Sequence, residues 1–192
     1  MAIKIYIDQG HNPTGSPNAG ASYFGQNEQD VTYEVGQILA SLLRTDPRFE
    51  VKLSRPTPET VVGTSNASSL RQRVSEANSW GANYFISIHA NAAENPKANG
   101  TEVYIYRQYT QANWLAEAVL QGIVETVGTK DNGVRVRPGL YVLKRTNMPA
   151  ILVELGYLSN PGDAEKLKND RYAFALGIYR GILQYFGFDQ NK

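Results

Sequence analysis

The sequence predicts an α/β fold: a three-layer αβα sandwich around a mostly parallel, mixed central sheet, in a single domain spanning 1–192. Three observations predict it. Short runs rich in Ile, Val and Tyr, such as IKIYID, NYFISI and AILVEL, read as buried strands bounded by Gly, Asn or Pro. Segments of helical period separate them, which implies crossovers and a parallel sheet. One run, TEVYIY (101–106), follows the strand before it too closely for a helical crossover, so that pair reads as antiparallel.

Residues 2–8 form the first strand, followed by a Gly/Asn/Pro/Ser-rich loop to Asn27. A helix fits 28–45, with Val31, Val35, Ile38, Leu39, Leu42 and Leu43 on one face. FEVKLS (49–54) alternates like a strand, and Pro56, Pro58 and Gly63 mark 55–65 as a loop. Ser68 or Asn66 caps a second helix that runs to Trp80 and ends at Gly81. Residues 83–88 form the third strand and 101–106 the fourth, before a long helix over 110–127. LYVLK (140–144) reads as a short strand and AILVEL (150–155) as a buried one. Helices over 163–169 and 171–186 close the domain.

At 192 residues, 42% hydrophobic and 19% charged, the chain is long enough to bury a proper core. A net charge of +1 argues against a nucleic-acid partner. No stretch reaches the roughly 20 apolar residues of a membrane span. MAIKIYID lacks the basic and apolar regions of a signal peptide and reads as the first strand. A monomer is expected. With no cysteine, thiolate ligands, disulfides and Cys nucleophiles are excluded. Any metal ligands must be His, Asp or Glu.

The chain has two histidines, and both stand just past the C-terminal end of an apolar run: His11 after IKIYID and His89 after YFISI. Ligands of open α/β sheets bind outside the carboxyl ends of the strands. One histidine there is ordinarily a solvated loop residue, but two in the same topological position point to a shared metal site. A hydrolytic zinc site needs a third ligand. The nearby candidates are Asp8, Glu28, Asp30 and Glu34. Asp8, still on the strand, suits orientation of an imidazole, and Glu34 lies on the solvated side of its helix. Glu28 begins the helix directly after the loop that carries His11, and is chosen. A first-turn acid favoured by the helix dipole is the competing explanation for it. Glu154 follows the wholly apolar AILV. A carboxylate there is costly unless paired or coordinating, and a raised pKa suits a general base. A buried ion pair with Arg or Lys is its competing explanation. The four residues make the parts list of a zinc hydrolase, in which one zinc ion acidifies a water and Glu154 carries its proton to the leaving amine.

These residues resemble a known family. IYIDQGHN resembles the opening IxIDxGH of the zinc-dependent N-acetylmuramoyl-L-alanine amidases of the amidase-3 type. NEQDVTYEVGQILASLL is similar to their Glu-led first helix, and VKLSR to their V-x-L-[ST]-R strand. LRQRVSEANSWGANYFISIHAN and PAILVELGYLSNPGDAEKL resemble their two longest blocks, and together the segments span residues 3 to about 186. The resemblance implies His11, Glu28 and His89 as zinc ligands and Glu154 as catalytic base. It also implies peptidoglycan as substrate, cut at the amide between N-acetylmuramic acid and L-alanine. GHN replaces the more usual GHG, and Tyr157 replaces Phe. Asn12 therefore removes a glycine beside the metal loop, with an effect on its conformation expected. Some members carry a helical plug after the SIHAN block. The link from Ala90 to Gly100 is too short for one, so an open site is expected.

Two other readings compete. A zinc peptidase acting within or at the end of stem peptides would use the same chemistry. It would need a fixed cation for a terminal carboxylate, for which Arg135 or Arg137 in GVRVRPG is available, although a charged loop explains that segment as well. A wall-binding module with a structural metal would need a closed shell of four ligands, usually Cys or His. A chain that acts outside the membrane without a visible signal fits a secreted fragment, a phage lysin or a sporulation enzyme.

Overall fold

The computed structural model describes residues 2–188. In chain order the strands are β1 (Ile3–Gln9), β2 (Ser22–Tyr23), β3 (Gln26–Asn27), β4 (Phe49–Leu53), β5 (Tyr84–Asn91), β6 (Thr101–Ile105), β7 (Asp131–Val136) and β8 (Ala150–Tyr157). The helices are α1 (Glu28–Arg44), α2 (Asn66–Trp80), α3 (Gln111–Val127), α4 (Tyr141–Arg145), α5 (Pro161–Asn169) and α6 (Arg171–Phe186). Six strands form one sheet in the order β4-β1-β5-β8-β6-β7. β1, β4, β5 and β8 run parallel, while β6 pairs antiparallel with β8 and parallel with β7. The mixed, mostly parallel α/β sandwich expected from the sequence is the fold. No helix among the described residues is long and apolar enough to cross a membrane.

The larger core joins one sheet face to α1, α3 and α6, through Ile5, Ile7, Leu39, Ile88, Val119 and Ile178 among others. Val31, Val35, Leu39 and Leu43 of α1 are fully buried, with Ile38 and Leu42 at the margin, as the helical period required. Burying each such side chain contributes about 1.5–3 kcal/mol. A smaller cluster packs α2 and α4 against the other face, on Tyr6, Phe85, Ala150 and Leu152. That second layer reaches β1 through Tyr6, β5 through Phe85, β8 through Ala150 and Leu152, and β6 through Tyr104.

Several elements differ from expectation. LYVLK is helical. Val142 and Leu143 are both buried, which adjacent strand residues pointing to opposite faces of a one-sided strand do not achieve, and the Lys144 N–H closes a turn on the Leu140 carbonyl at 3.0 Å. The charged stretch DNGVRV, part of the expected loop, is the edge strand β7. A glycine at φ 84° and two charges mask its signal, and charge is common on edge strands. β6 is antiparallel, but its neighbour is β8 and not β5. The cap of α2 is Ser65, one residue before Asn66 and three before Ser68. Its hydroxyl accepts the Ser68 N–H at 3.1 Å, and the Ser68 hydroxyl accepts the Ser65 N–H at 2.8 Å. β5 continues past His89 to Asn91, so His89 is a strand residue and not a loop residue.

Candidate metal centre

His11, Glu28 and His89 converge at the C-terminal edge of the sheet. Glu28 is the first residue of α1 and is buried. Its Oε1 lies 3.0 Å from His11 Nε2 and 3.0 Å from His89 Nδ1. The two rings meet edge-on, with centroids 4.9 Å apart. In a tetrahedral zinc shell with bonds of about 2.0–2.1 Å, donor atoms lie roughly 3.3–3.4 Å apart. The donor set therefore fits one such ion. Burial pushes the Glu28 carboxyl up, but the two imidazoles outweigh it and hold the group well below the usual carboxylate range.

Backbone geometry fixes these groups. His11 adopts φ 68°, a left-handed conformation that costs a non-glycine residue about 1–3 kcal/mol unless its surroundings enforce it. Its Nδ1 donates to the Asn18 carbonyl at 3.2 Å, which turns Nε2 toward Glu28. The Glu28 carboxylate accepts from the Ala90 and Ala21 amides at 3.1 and 3.2 Å. Two glycines allow the close approach. A Cβ on Gly10 would stand 2.5 Å from His89 Cε1, and one on Gly20 would stand 2.8 Å from Glu28 Oε2.

Asp8 does not touch an imidazole, contrary to the expected role. It is buried and accepts from Arg73 Nη1 at 2.6 Å and from the Ser87 hydroxyl at 2.8 Å. Arg73 in turn donates to the carbonyls of Gln9 and His11, each at 2.6 Å, and to Asn12 Oδ1 at 3.1 Å. Asp8 thus acts through Arg73, which clamps the backbone of the metal loop. Burial raises the Asp8 carboxyl, and the adjacent guanidinium overrides this and holds it below its ordinary value. Asn12 is buried. It bonds Val62 in both directions and the Pro17 carbonyl, and the left-handed residue of the loop is His11. The loss of glycine at position 12 therefore adds a clasp and does not strain the turn. Arg73 belongs to the LRQR segment, but nothing in the sequence reveals an ion pair 65 residues away. Replacing Arg73 with leucine strands the Asp8 charge and is expected to cost about 3–5 kcal/mol in denaturant unfolding. A loss under about 1 kcal/mol would show that Asp8 is satisfied by other partners.

Of the other acids near His11, Glu34 pairs with Arg171 on the solvated side of α1, and Asp30 accepts from Asn27 at 2.9 Å. Neither joins the metal set. Glu154 sits on β8 directly beside His89 on β5 and directly opposite Glu102 on β6. Its Oε2 is buried and makes no hydrogen bond among the described residues. Burial first, then the charges of Glu28 and Glu102, push its carboxyl well above the ordinary range. No Arg or Lys pairs with it among the described residues, so the buried ion pair weighed for Glu154 is not formed. Glu102, which sequence reasoning did not single out, is 2% exposed and accepts from Tyr104 and Tyr157 hydroxyls at 2.8 and 2.9 Å.

The site can hold a divalent cation with three ligands and presents beside it Glu154, whose Oε2 is buried and whose carboxyl pKa is shifted upward. Known proteins are similar to this chain in sequence and in fold. The family profile described as N-acetylmuramoyl-L-alanine amidase matches residues 5–184. The amidase CwlM of Bacillus licheniformis is 35% identical over 98% of this chain and 71% of its own length. LytC of Bacillus subtilis is 35% identical over 95% of this chain, which spans only 35% of that protein. The catalytic domain of the amidase CwlV from Bacillus (Paenibacillus) polymyxa superposes with a TM-score of 0.85 at 31% identity, over 97% of this chain and 99% of that one. With nearly its whole length matched by the profile, the chain belongs to the N-acetylmuramoyl-L-alanine amidase family.

Proposed function

We propose that the chain is a single, monomeric catalytic domain that holds one zinc ion through His11, Glu28 and His89, with Glu154 as its catalytic base. Its substrate is the amide between N-acetylmuramic acid and the L-alanine of the peptidoglycan stem, in the cell wall. The observation that carries this reading is the meeting of two imidazole nitrogens on one Glu28 oxygen at 3.0 Å, beside a buried carboxylate oxygen with no partner. Three protein ligands are the count of a catalytic zinc site, whereas structural sites close with four.

When bound, zinc supplies Lewis acidity: it lowers the pKa of a water and polarises a carbonyl. The chain's residues do the rest. Glu154 accepts the proton of the attacking water and returns it to the amine of L-alanine as the C–N bond breaks. Its raised proton affinity suits both transfers. Arg73 and Asp8 keep His11 in its strained conformation throughout. Only nine residues, 92–100, join β5 to β6, and no helix lies among them, so substrate reaches the site without displacing a plug.

Digestion of purified peptidoglycan by the zinc-loaded protein should release new N-terminal alanine and leave the reducing sugars unchanged, with no activator added. New reducing ends would instead mean glycan cleavage. Free D-alanine without new L-alanine termini would favour the stem peptidase.

A further inference from the structure

The polar floor of the site continues past Glu154 to the edge of the sheet. Glu102 is paired with Glu154, and Tyr104 with both Leu152 and Arg135, so these side chains share one face. The apolar cluster under α2 and α4 stops at Leu152 and Tyr104. Beyond it, Glu102 organises the floor. Its Oε1 accepts from Asn91, Tyr104 and Tyr157 at 3.0, 2.8 and 2.9 Å, which ties together three strands. Its Oε2 lies 2.9 Å from Arg135 Nε.

That contact holds Arg135 in a particular way. The Nε–H is donated to the Asn132 carbonyl at 3.2 Å, and Nε pairs electrostatically with Glu102 Oε2, which takes no hydrogen bond among the described residues. The terminal amines have no hydrogen-bond partner among the described residues, and the side chain is 48% exposed. Arg137 lies over the Tyr104 ring, 5.3 Å from its centroid. A guanidinium pinned at Nε with both terminal amines free offers an end-on fork, which matches a planar carboxylate. β8 and β7 are two strand spacings apart, roughly 10 Å, and an extended peptide covers that in about three residues.

We propose that Arg135, supported by Arg137 and held by Glu102 as a positioning residue, is a subsite for a carboxylate on the peptide that follows the cleaved amide. This rests on the amidase reading, and it gives GVRVRPG a role in recognising the peptide of an amidase substrate. The acid is held while the peptide crosses Glu102 with its scissile amide beside Glu154.

Two synthetic N-acetylmuramoyl tripeptides test it, alike except that the carboxylates after L-alanine are free in one and primary amides in the other. The zinc-loaded wild type should prefer the free acid about tenfold in kcat/KM, mainly through KM. The half-exposed arginine argues for the low end of what a charge-assisted pair yields. Arg135→Gln should bring the preference to near unity. Arg135→Lys should keep part of it, because an ammonium retains charge without the fork. A structural role alone would slow both substrates equally. No preference in the wild type, or full preference in Arg135→Gln, overturns the subsite. If the wild type frees L-alanine termini from neither substrate nor from peptidoglycan, the amidase reading itself fails and the subsite with it.

Discussion

Glu154→Gln should keep the fold and the metal and lose activity by about 10²–10⁴-fold, near the upper end if one group makes both proton transfers. The exchange is isosteric and leaves the hydrogen bonds of Glu102 and Glu28 untouched. What disappears is a carboxylate that carries a proton between water and amine. Stability should move the other way in the metal-free protein. Burial first, and then the charges of Glu28 and Glu102, hold the folded-state pKa of Glu154 above the unfolded value. A raised carboxyl favours folding below the unfolded pKa, near 4.3, and that contribution is lost as pH rises through the folded value. The variant should therefore melt higher than its parent at neutral pH, and the gap should close on acidification below about pH 4. Metal analysis, thermal melts across pH and release of alanine termini check the three parts. If the variant loses its metal, Glu154 is a ligand and the place of Glu28 must be reassigned.

The sheet, its central strands and the main helices were legible because period and composition agree there. IKIYID, YFISI and AILV are buried on a packed sheet, and α1 repeats its apolar face at helical spacing. The metal set was legible for a different reason. With two histidines and no cysteine, chemistry left few combinations, and strand ends fix where ligands gather. What the sequence hid is non-local. LYVLK has no feature that separates a buried turn of helix from a short strand. β7 hides behind a glycine and two charged residues, Asp131 and Arg135. Asp8 looked like a histidine's companion because it is near in sequence, yet its partner is Arg73 on α2. Glu102 gained its meaning only when the sheet order β8-β6 put it opposite Glu154.

Removing the metal should abolish turnover completely and reversibly while leaving the fold in place. The chemical argument is that His11, Glu28 and His89 form the only group of three or more His, Cys, Asp or Glu placed to hold a metal among the described residues. The structural argument is that the cage is built from both sides without metal. Arg73 pins the His11 carbonyl, Asn18 sets the ring, and the Ala90 amide holds Glu28. The larger core, which includes Leu39, Ile88 and Val119, contains none of the three ligands. Chelation should thus leave the circular dichroism unchanged, and zinc alone should restore activity. Zinc should also raise the melting temperature, by the equivalent of about 2.7 kcal/mol at a hundredfold excess over its dissociation constant. His89→Ala should remove that shift along with the activity, since two remaining ligands leave the shell to water. Glu154→Gln, by contrast, should keep the shift and lose the activity. Full turnover in metal-free protein would end the zinc reading, and a zinc shift that survives His89→Ala would move the ion to other ligands.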